Sequence, residues 1–226
     1  MHVEWHGQSA FTLSGTEARV FIDPFADMSP MAERGVRFDY PPIEVDEVDL
    51  LLVTHEHLDH NGVEAISGEP AILRSTAGRL ESPLGEVVAI ASEHDENAGT
   101  ERGPNTIFVF TLDGVRIAHF GDFGQAGLRP EQRAAIGEVD MVILPVGAGP
   151  TIGEAQAARI VEELKPRWVV PMHYRTERIG FLESEEEFVD RMPRVQRLES
   201  PSFDTADLEQ GEGPLTVVPA APAPRT

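Results

Sequence analysis

Cysteine is absent from the 226 residues. That excludes disulfide staples and thiolate ligands, so any bound metal must be held by nitrogen and oxygen donors. Lysine is nearly absent as well, with Lys165 the only one, and 18 basic against 39 acidic side chains leave a net charge of −21. A surface of that sign repels phosphate backbones, because nucleic-acid affinity depends on cationic side chains displacing counterions. Nucleic acid is therefore not an expected partner, and a solubility or salt adaptation is the simpler source of the acidity. No apolar run approaches the roughly 20 residues of a membrane helix, and the first residues lack the basic, apolar, small-residue order of a signal peptide. The expectation is a cytoplasmic protein with no membrane partner. GxSxG and P-loop patterns are missing too, which removes two common routes to hydrolysis.

The composition that remains, 41% hydrophobic and 25% charged, is that of an ordinary soluble globule. A chain of this length buries about 70% of its unfolded surface and needs no staples. Residues 1–218 are expected to form a single domain, and the Pro/Ala-rich 219–226 a disordered tail. Met1 to Trp5, Ala10 to Leu13 and Ala18 to Ile22 predict an antiparallel meander, ending at Asp23-Pro24 because proline has no N–H for a ladder. Phe25 to Glu47 has no clean period and carries Pro30, Pro41 and Pro42, which predicts a long surface excursion forming a wall of the substrate site. Val48 to Val53, Ala71 to Leu73 and Glu86 to Ala91 read as strands, with a short helix near Thr76 to Leu80. Asn105 to Leu112 and Val115 to Phe120 flank Asp113-Gly114, a hairpin signal.

From there the period changes. Helices are predicted over Pro130 to Ile136, from Thr151 or Gly153 through Leu164, and over Ser184 to Arg191, the last with Ser184 as cap and Glu187 three residues on. Val139 to Leu144 and Arg167 to Val170 are the strands between them. Strands first and helices later, in both halves, is compatible with two sheets packed face to face with helices outside.

The densest chemistry is Thr54-His55-Glu56-His57-Leu58-Asp59-His60, where a buried strand ends and the opening turns of a helix are expected over Val63 to Ile66. In an extended segment residues i and i+2 project to one side, so His55 and His57 can reach one ion together. Asp59 and His60 follow after the chain has turned, with Asp59 suited to cap the next helix. One loop can thus serve two ions a few ångströms apart. His94, Asp122 and His173 share a trait with this loop: each directly follows a predicted strand. Ligand sites in open sheets are built at the carboxyl ends of strands. Singly, such residues are unremarkable loop or surface groups; their joint placement is what points to a metal.

The HxHxDH pattern resembles the metal-binding signature of the metallo-β-lactamase superfamily. That resemblance implies an α/β (α+β) fold, a four-layer αββα sandwich with two mixed β-sheets packed face to face and helices outside. It also implies the ligand assignment: His55, His57 and His94 on a first ion, Asp59, His60 and His173 on a second, Asp122 bridging both, and Asp23 supporting the histidine loop by hydrogen bonding. WHGQSAF (Trp5 to Phe11), RGPNTIFVF (Arg102 to Phe110), HFGDFG (His119 to Gly124), LPVGAGPTIG (Leu144 to Gly153) and PMHY (Pro171 to Tyr174) resemble the branch containing L-ascorbate-6-phosphate lactonase-like hydrolases. Gln8 departs from that pattern, since many relatives have histidine there, and no catalytic role carries over to it.

The implied cofactor is two divalent ions per chain, Zn first, with Mn or Fe compatible. Ions about 3.5–4 Å apart lower the pKa of bound water from 15.7 toward ~7 and polarise a carbonyl or phosphoryl oxygen. The expected activity is hydrolysis of a small ester, lactone or phosphoester, with Asp59 and Asp122 orienting the nucleophile and Tyr174 either donating to the oxyanion or packing. His119 is expected in the core or behind the ligands, and His6 on the first strand in a structural role. A phosphodiesterase acting on nucleic acid and a metal-stabilised binding module without turnover are the alternatives. A small-molecule substrate is the expected partner, and self-association is left open.

Overall fold

A computed structural model describes residues 1–223. The chain opens with β1 (His2–Gly7), β2 (Ala10–Ser14), β3 (Arg19–Ile22), the short helix α1 (Ser29–Glu33), β4 (Leu50–Val53) and β5 (Ala71–Arg74). β6 (Gly78–Ser82), β7 (Gly85–Glu93), β8 (Pro104–Leu112) and β9 (Val115–His119) follow without a helix. Then come α2 (Pro130–Ile136), β10 (Met141–Pro145), α3 (Glu154–Leu164), β11 (Trp168–Met172) and α4 (Glu186–Val189). β12 (Val195–Arg197), β13 (Ser202–Asp204) and β14 (Leu215–Val218) complete the order.

These strands make two mixed sheets, ordered β13-β1-β2-β3-β4-β5 and β12-β14-β11-β10-β9-β8-β7-β6. Each sheet is antiparallel in one half and parallel in the other. In the first, β13 through β3 alternate direction and β3, β4 and β5 run together. In the second, β6 to β9 alternate, and β9, β10, β11, β14 and β12 run together.

Side-chain alternation explains why the sheets stack. Along β4, Leu50 and Leu52 enter the core between the sheets with Phe11, Ile22, Phe108 and Phe110, while Leu51 enters a second cluster with Phe21, Phe25 and Tyr40. Period-2 patterning with both faces apolar requires cover on both sides. On the second sheet that cover is helical: α2 packs on β7 and α3 on β10, with Ala157, Ile160, Val161 and Leu164 forming the buried stripe of α3. On the first sheet the outer layer is mostly irregular chain. Phe25, Met28, Tyr40 and Val48, joined by Ile179 and Leu182, seal its face, and α1 buries no residue of its own. The layered sandwich is present, with one of its helical layers replaced by a loop.

Several expectations are corrected. Val63 to Ile66 does not open an α-helix; Val63–Ala65 is a single 3-10 turn, capped by no side chain, so Asp59 is free of that duty. The helix expected near Thr76 to Leu80 is instead β6, hairpinned to β7 in a register pairing Gly78 with Ala89, because strand pairing satisfies backbone groups that one short turn cannot. α4 starts later than Ser184 and has no side-chain cap. β12, β13 and β14 had no sequence expectation. Residues 219–223 are not a loose tail: Pro219 and Pro222 are buried, and the Ala220 N–H donates to the Ser200 carbonyl at 3.1 Å. The remainder of the expected tail, 224–226, lies outside the described residues. Asp113-Gly114 does close a hairpin, at φ 50° and 75°. Among the described residues no helix is long and apolar enough to cross a membrane.

Phe108 is fully buried between the sheets, whereas Phe181 is about half exposed at 49%. Chemical denaturation should therefore show Phe108→Ala losing ~3–5 kcal/mol and Phe181→Ala changing by less than about 0.5 kcal/mol.

Candidate metal centre

Two antiparallel steps restore a strand's direction, so the carboxyl ends of β1, β3 and β4 lie on one edge of the first sheet, and those of β7, β9 and β11 on one edge of the second. Each of these six ends delivers a site residue. Gln8 and Ser9 follow β1, Asp23 follows β3, and His55 to His60 follow β4. His94, Asp122 and His173 follow β7, β9 and β11.

The ligand atoms of three overlapping groups each lie within 4.8 Å of one another: His55, His57 and His94; His55, His60 and Asp122; and Asp59, His60 and His173. Asp122 is the hub. Its Oδ2 sits 3.3 Å from His60 Nε2, 3.1 Å from His94 Nε2 and 3.3 Å from His173 Nε2. His55 Nε2 lies 3.0 Å from His57 Nδ1. Most members are buried, with His57 exposed and Asp59 half-buried, so the site opens on that side.

Behind the ligands stands a second tier of hydrogen bonds. Asp23 is fully buried and accepts from the Thr54 N–H at 2.8 Å, the Thr54 hydroxyl at 2.7 Å and His60 Nδ1 at 3.0 Å. Thr54 Oγ1 is also 3.0 Å from His55 Nδ1. His94 Nδ1 donates to the Pro150 carbonyl at 2.9 Å, and the Ser9 hydroxyl donates to Asp122 Oδ1 at 3.2 Å. Asn105 accepts from the Asp122 N–H at 3.0 Å and donates to the Phe120 carbonyl at 2.8 Å. On the exposed side Glu56 accepts from Arg74 and Ser75, anchoring the loop to the end of β5, and Arg74 foremost draws the Glu56 carboxyl down to about 2.

Close backbone approach is needed as well. A Cβ on Gly121 would stand 2.4 Å from Asn105 Oδ1, and one on Gly147 2.2 Å from the His173 carbonyl oxygen. Gln8, Asp23 and His173 all adopt left-handed φ, at 49°, 52° and 51°. Strain of this kind persists where surrounding contacts over-determine the geometry.

The electrostatics suit cations. Burial, reinforced by neighbouring imidazoles, holds His55 and His57 below the ordinary histidine range, and burial does the same to His173. These rings therefore keep a lone pair at neutral pH. Burial opposes charge on His60 too, but Asp122, Asp59 and Asp23 outweigh it and raise that pKa. Burial also opposes the Asp122 carboxylate, yet His173 and His60 together hold it well below its usual range. His60 Nε2 gives the most direct fit test: it is buried and has no hydrogen-bond partner, although Asp122 Oδ2 is 3.3 Å away and Asp59 Oδ2 3.7 Å away. A donor atom left unpaired between two carboxylates matches a cation lodged among them. The all-nitrogen-and-oxygen set is compatible with Zn, Fe or Mn.

All seven residues read as ligands thus come together. Tyr174 does not join them. Its ring packs on Trp5 at 5.3 Å between centroids, and burial together with Glu185 raises its pKa well above the usual value. Its burial and ring contact are those of a packing residue. His119 backs the site from the core, its Nε2 donating to the Ser9 carbonyl at 3.1 Å. His6 bonds Thr12 Oγ1 at 2.7 Å and stacks on Phe21. Ser9, Thr54 and Asn105 escaped sequence reasoning; their one signal is adjacency to motif residues or to a strand end.

A family model for the β-lactamase superfamily domain matches residues 2–173. The chain belongs to the metallo-β-lactamase superfamily. A metal-dependent hydrolase of the UPF0173 family from Thermococcus kodakarensis is 34% identical, over 77% of this chain and 84% of that one. Among solved structures, a proposed Zn-dependent hydrolase of the superfamily from Thermotoga maritima shares the fold with a TM-score of 0.75 at 22% identity, covering 97% of this chain and 99% of its own. An isothiocyanate hydrolase from Delia radicum gut bacteria does so with a TM-score of 0.67 at 18% identity, over 84% and 91%. The chain is a metal-dependent hydrolase, and its finer resemblance to the lactonase-like branch is not reached by these matches.

Asp23 belongs to none of the three ligand groups, yet it bonds His60 directly and reaches His55 through Thr54. Asp23→Asn should weaken metal binding by about 10–100-fold in competition with a chromogenic chelator, while every ligand remains in place.

Proposed function

We infer that this hydrolase holds two divalent ions and cleaves a small ester, lactone or phosphoester. The observation that carries the reading is the shared position of Asp122 Oδ2, within 3.3 Å of three imidazoles from three strand ends. His55, His57 and His94 would hold one ion and Asp59, His60 and His173 a second, and Asp122 lies between these two sets in the third group, with His55 and His60. When bound, such a pair lowers the pKa of water toward ~7 and polarises the scissile carbonyl or phosphoryl group.

The chain's own residues supply the rest. Asp23 and Thr54 keep His55 and His60 presented by Nε2, and Pro150 does so for His94. Asp59, half-buried at the open side, offers a carboxylate oxygen that accepts a hydrogen bond from the attacking water and orients it. Asp122, held ionised by His173 and His60, balances cationic charge inside the site. Beside His94 lies a cavity of about 310 Å³ whose walls include Asp95, Asn97, Arg102, Thr151 and Gln156. Its size and polar walls favour a small polar substrate. The net charge of −21 weighs against nucleic acid, and we place the protein in the cytoplasm. Lactones lead the substrate panel because Trp5 to Phe11 and Pro171 to Tyr174, two of the lactonase-like segments, both border the centre. An isothiocyanate joins the panel on account of the fold neighbour.

Elemental analysis of protein refolded or expressed with Zn or Mn should give close to two ions per chain. A chelator should abolish turnover of the panel and either metal restore it. Asp122→Ala should cost more than the roughly 10–100-fold that loss of an outer partner costs. Full activity in metal-free protein would overturn the reading.

A further inference from the structure

The Nδ1 atoms of the centre's buried histidines have outer partners with one exception. His55 Nδ1 has Thr54, His60 Nδ1 has Asp23, and His94 Nδ1 has the Pro150 carbonyl. His173 Nδ1 is buried and has none. A neutral imidazole that gives its Nε2 lone pair to a cation must carry its proton on Nδ1, and that proton needs an acceptor.

One other side chain at this edge is equally unsatisfied. Gln8 is wholly buried, and both its amide oxygen and its amide nitrogen lack partners. Its backbone is pinned beside the ring in question: the His173 N–H donates to the Gln8 carbonyl at 3.3 Å, and Trp5 Nε1 donates to the same oxygen at 2.9 Å. Both residues sit in left-handed backbone, at φ 49° and 51°. A buried, unpartnered amide is costly and calls for a reason, and a non-glycine residue held at positive φ calls for another. A side chain that merely filled space here would be better apolar.

We propose that Gln8 is a positioning residue for His173, its amide oxygen accepting the Nδ1 proton when a cation draws the imidazole into place. The contact fixes the ring's tautomer and heading on the side of the site formed by Asp59, His60 and His173. It rests on the two-ion reading above, and it assigns to Gln8 a duty that the residue's departure from the family's histidine leaves open. Gln8 touches neither ion nor substrate.

Gln8→Met removes both unsatisfied atoms at nearly constant volume, and Gln8→Glu restores a stronger acceptor. Stepwise Zn titration against a chelator resolves the two sites, and Co(II) absorption reports ligand geometry. The expected result is that Gln8→Met loses about 10–100-fold in affinity at one of the two steps only, with a changed Co(II) spectrum. Its metal-free form should melt at a higher temperature than the parent, because an unpaired buried amide has been removed. Gln8→Glu should recover the affinity of that step. Unchanged binding at both steps in Gln8→Met, or an equal loss at both, overturns the proposal. A lower melting temperature of metal-free Gln8→Met also overturns it, since a packing role predicts that sign. A parent protein that binds fewer than two ions defeats the two-ion reading instead, and this proposal with it. If Gln8→Met does not fold, Gln8→Leu with the same two readouts decides.

Discussion

Everything at this centre turns on one buried carboxylate, Asp122, facing three imidazole nitrogens contributed by separate segments. An ionised carboxylate taken out of water loses several kcal/mol even after relaxation, and only close positive or hydrogen-bonding partners make such a placement tolerable. Here they come from both sheets: His60 from the edge of the first, His94 and His173 from the second. The groups that bind the cations are therefore also a tie between the two layers. Charge balance and tertiary packing meet at a single atom, Asp122 Oδ2.

That tie needs backbone in unusual places. Gly121 lets the chain pass against Asn105 and Thr54 so that Asp122 can point inward, and Gly147 lets the end of β10 lie on the backbone of His173. Asp23 and His173 accept left-handed geometry that costs of order 1–3 kcal/mol each. At Asp23 the cost is offset by the three hydrogen bonds that converge on its carboxylate. Local sequence preference fails at the places where the site is made, as it does when function overrides propensity.

What could be read in advance divides along the same line. The ligands were legible because each is a metal-binding side chain directly after an apolar strand, and short apolar runs bounded by turn residues are a strong local signal. α2 and the Asp113-Gly114 hairpin were legible for comparable local reasons. β12, β13 and β14 were not: Val195–Arg197 and Ser202–Asp204 carry no alternation, and their pairing partners lie far off in sequence, β13 on β1 for one. β6 read as a helix because Gly78–Ser82 has little apolar patterning and takes its identity from β7. Tyr174 was open between two roles that differ only in the direction of one side chain, which no sequence pattern reports. Thr54 and Ser9 were unmarked for a simpler reason: their hydroxyls act through other residues.

The loop that stands in for a helical layer over the first sheet is tied to the site. The excursion from Phe25 to Glu47 is not independent chain. Phe38 bridges to Ile179, the Asp39 N–H donates to the Arg178 carbonyl at 3.0 Å, and Tyr40 OH meets Thr176 Oγ1 at 2.9 Å. Those partners follow His173 by only a few residues. On its other side the Tyr40 ring closes over Gly7, where a Cβ would stand 2.4 Å from it, so it also abuts the turn that carries Gln8 and Ser9. One aromatic side chain thus connects the outer loop, the segment after β11 and the turn after β1, the last two of which touch the metal ligands. A change at Tyr40 therefore bears on the segment after His173 and, through the turn carrying Ser9, on Asp122. The anchors at Phe25, Phe38 and Tyr40 thus serve the centre as much as they serve the loop.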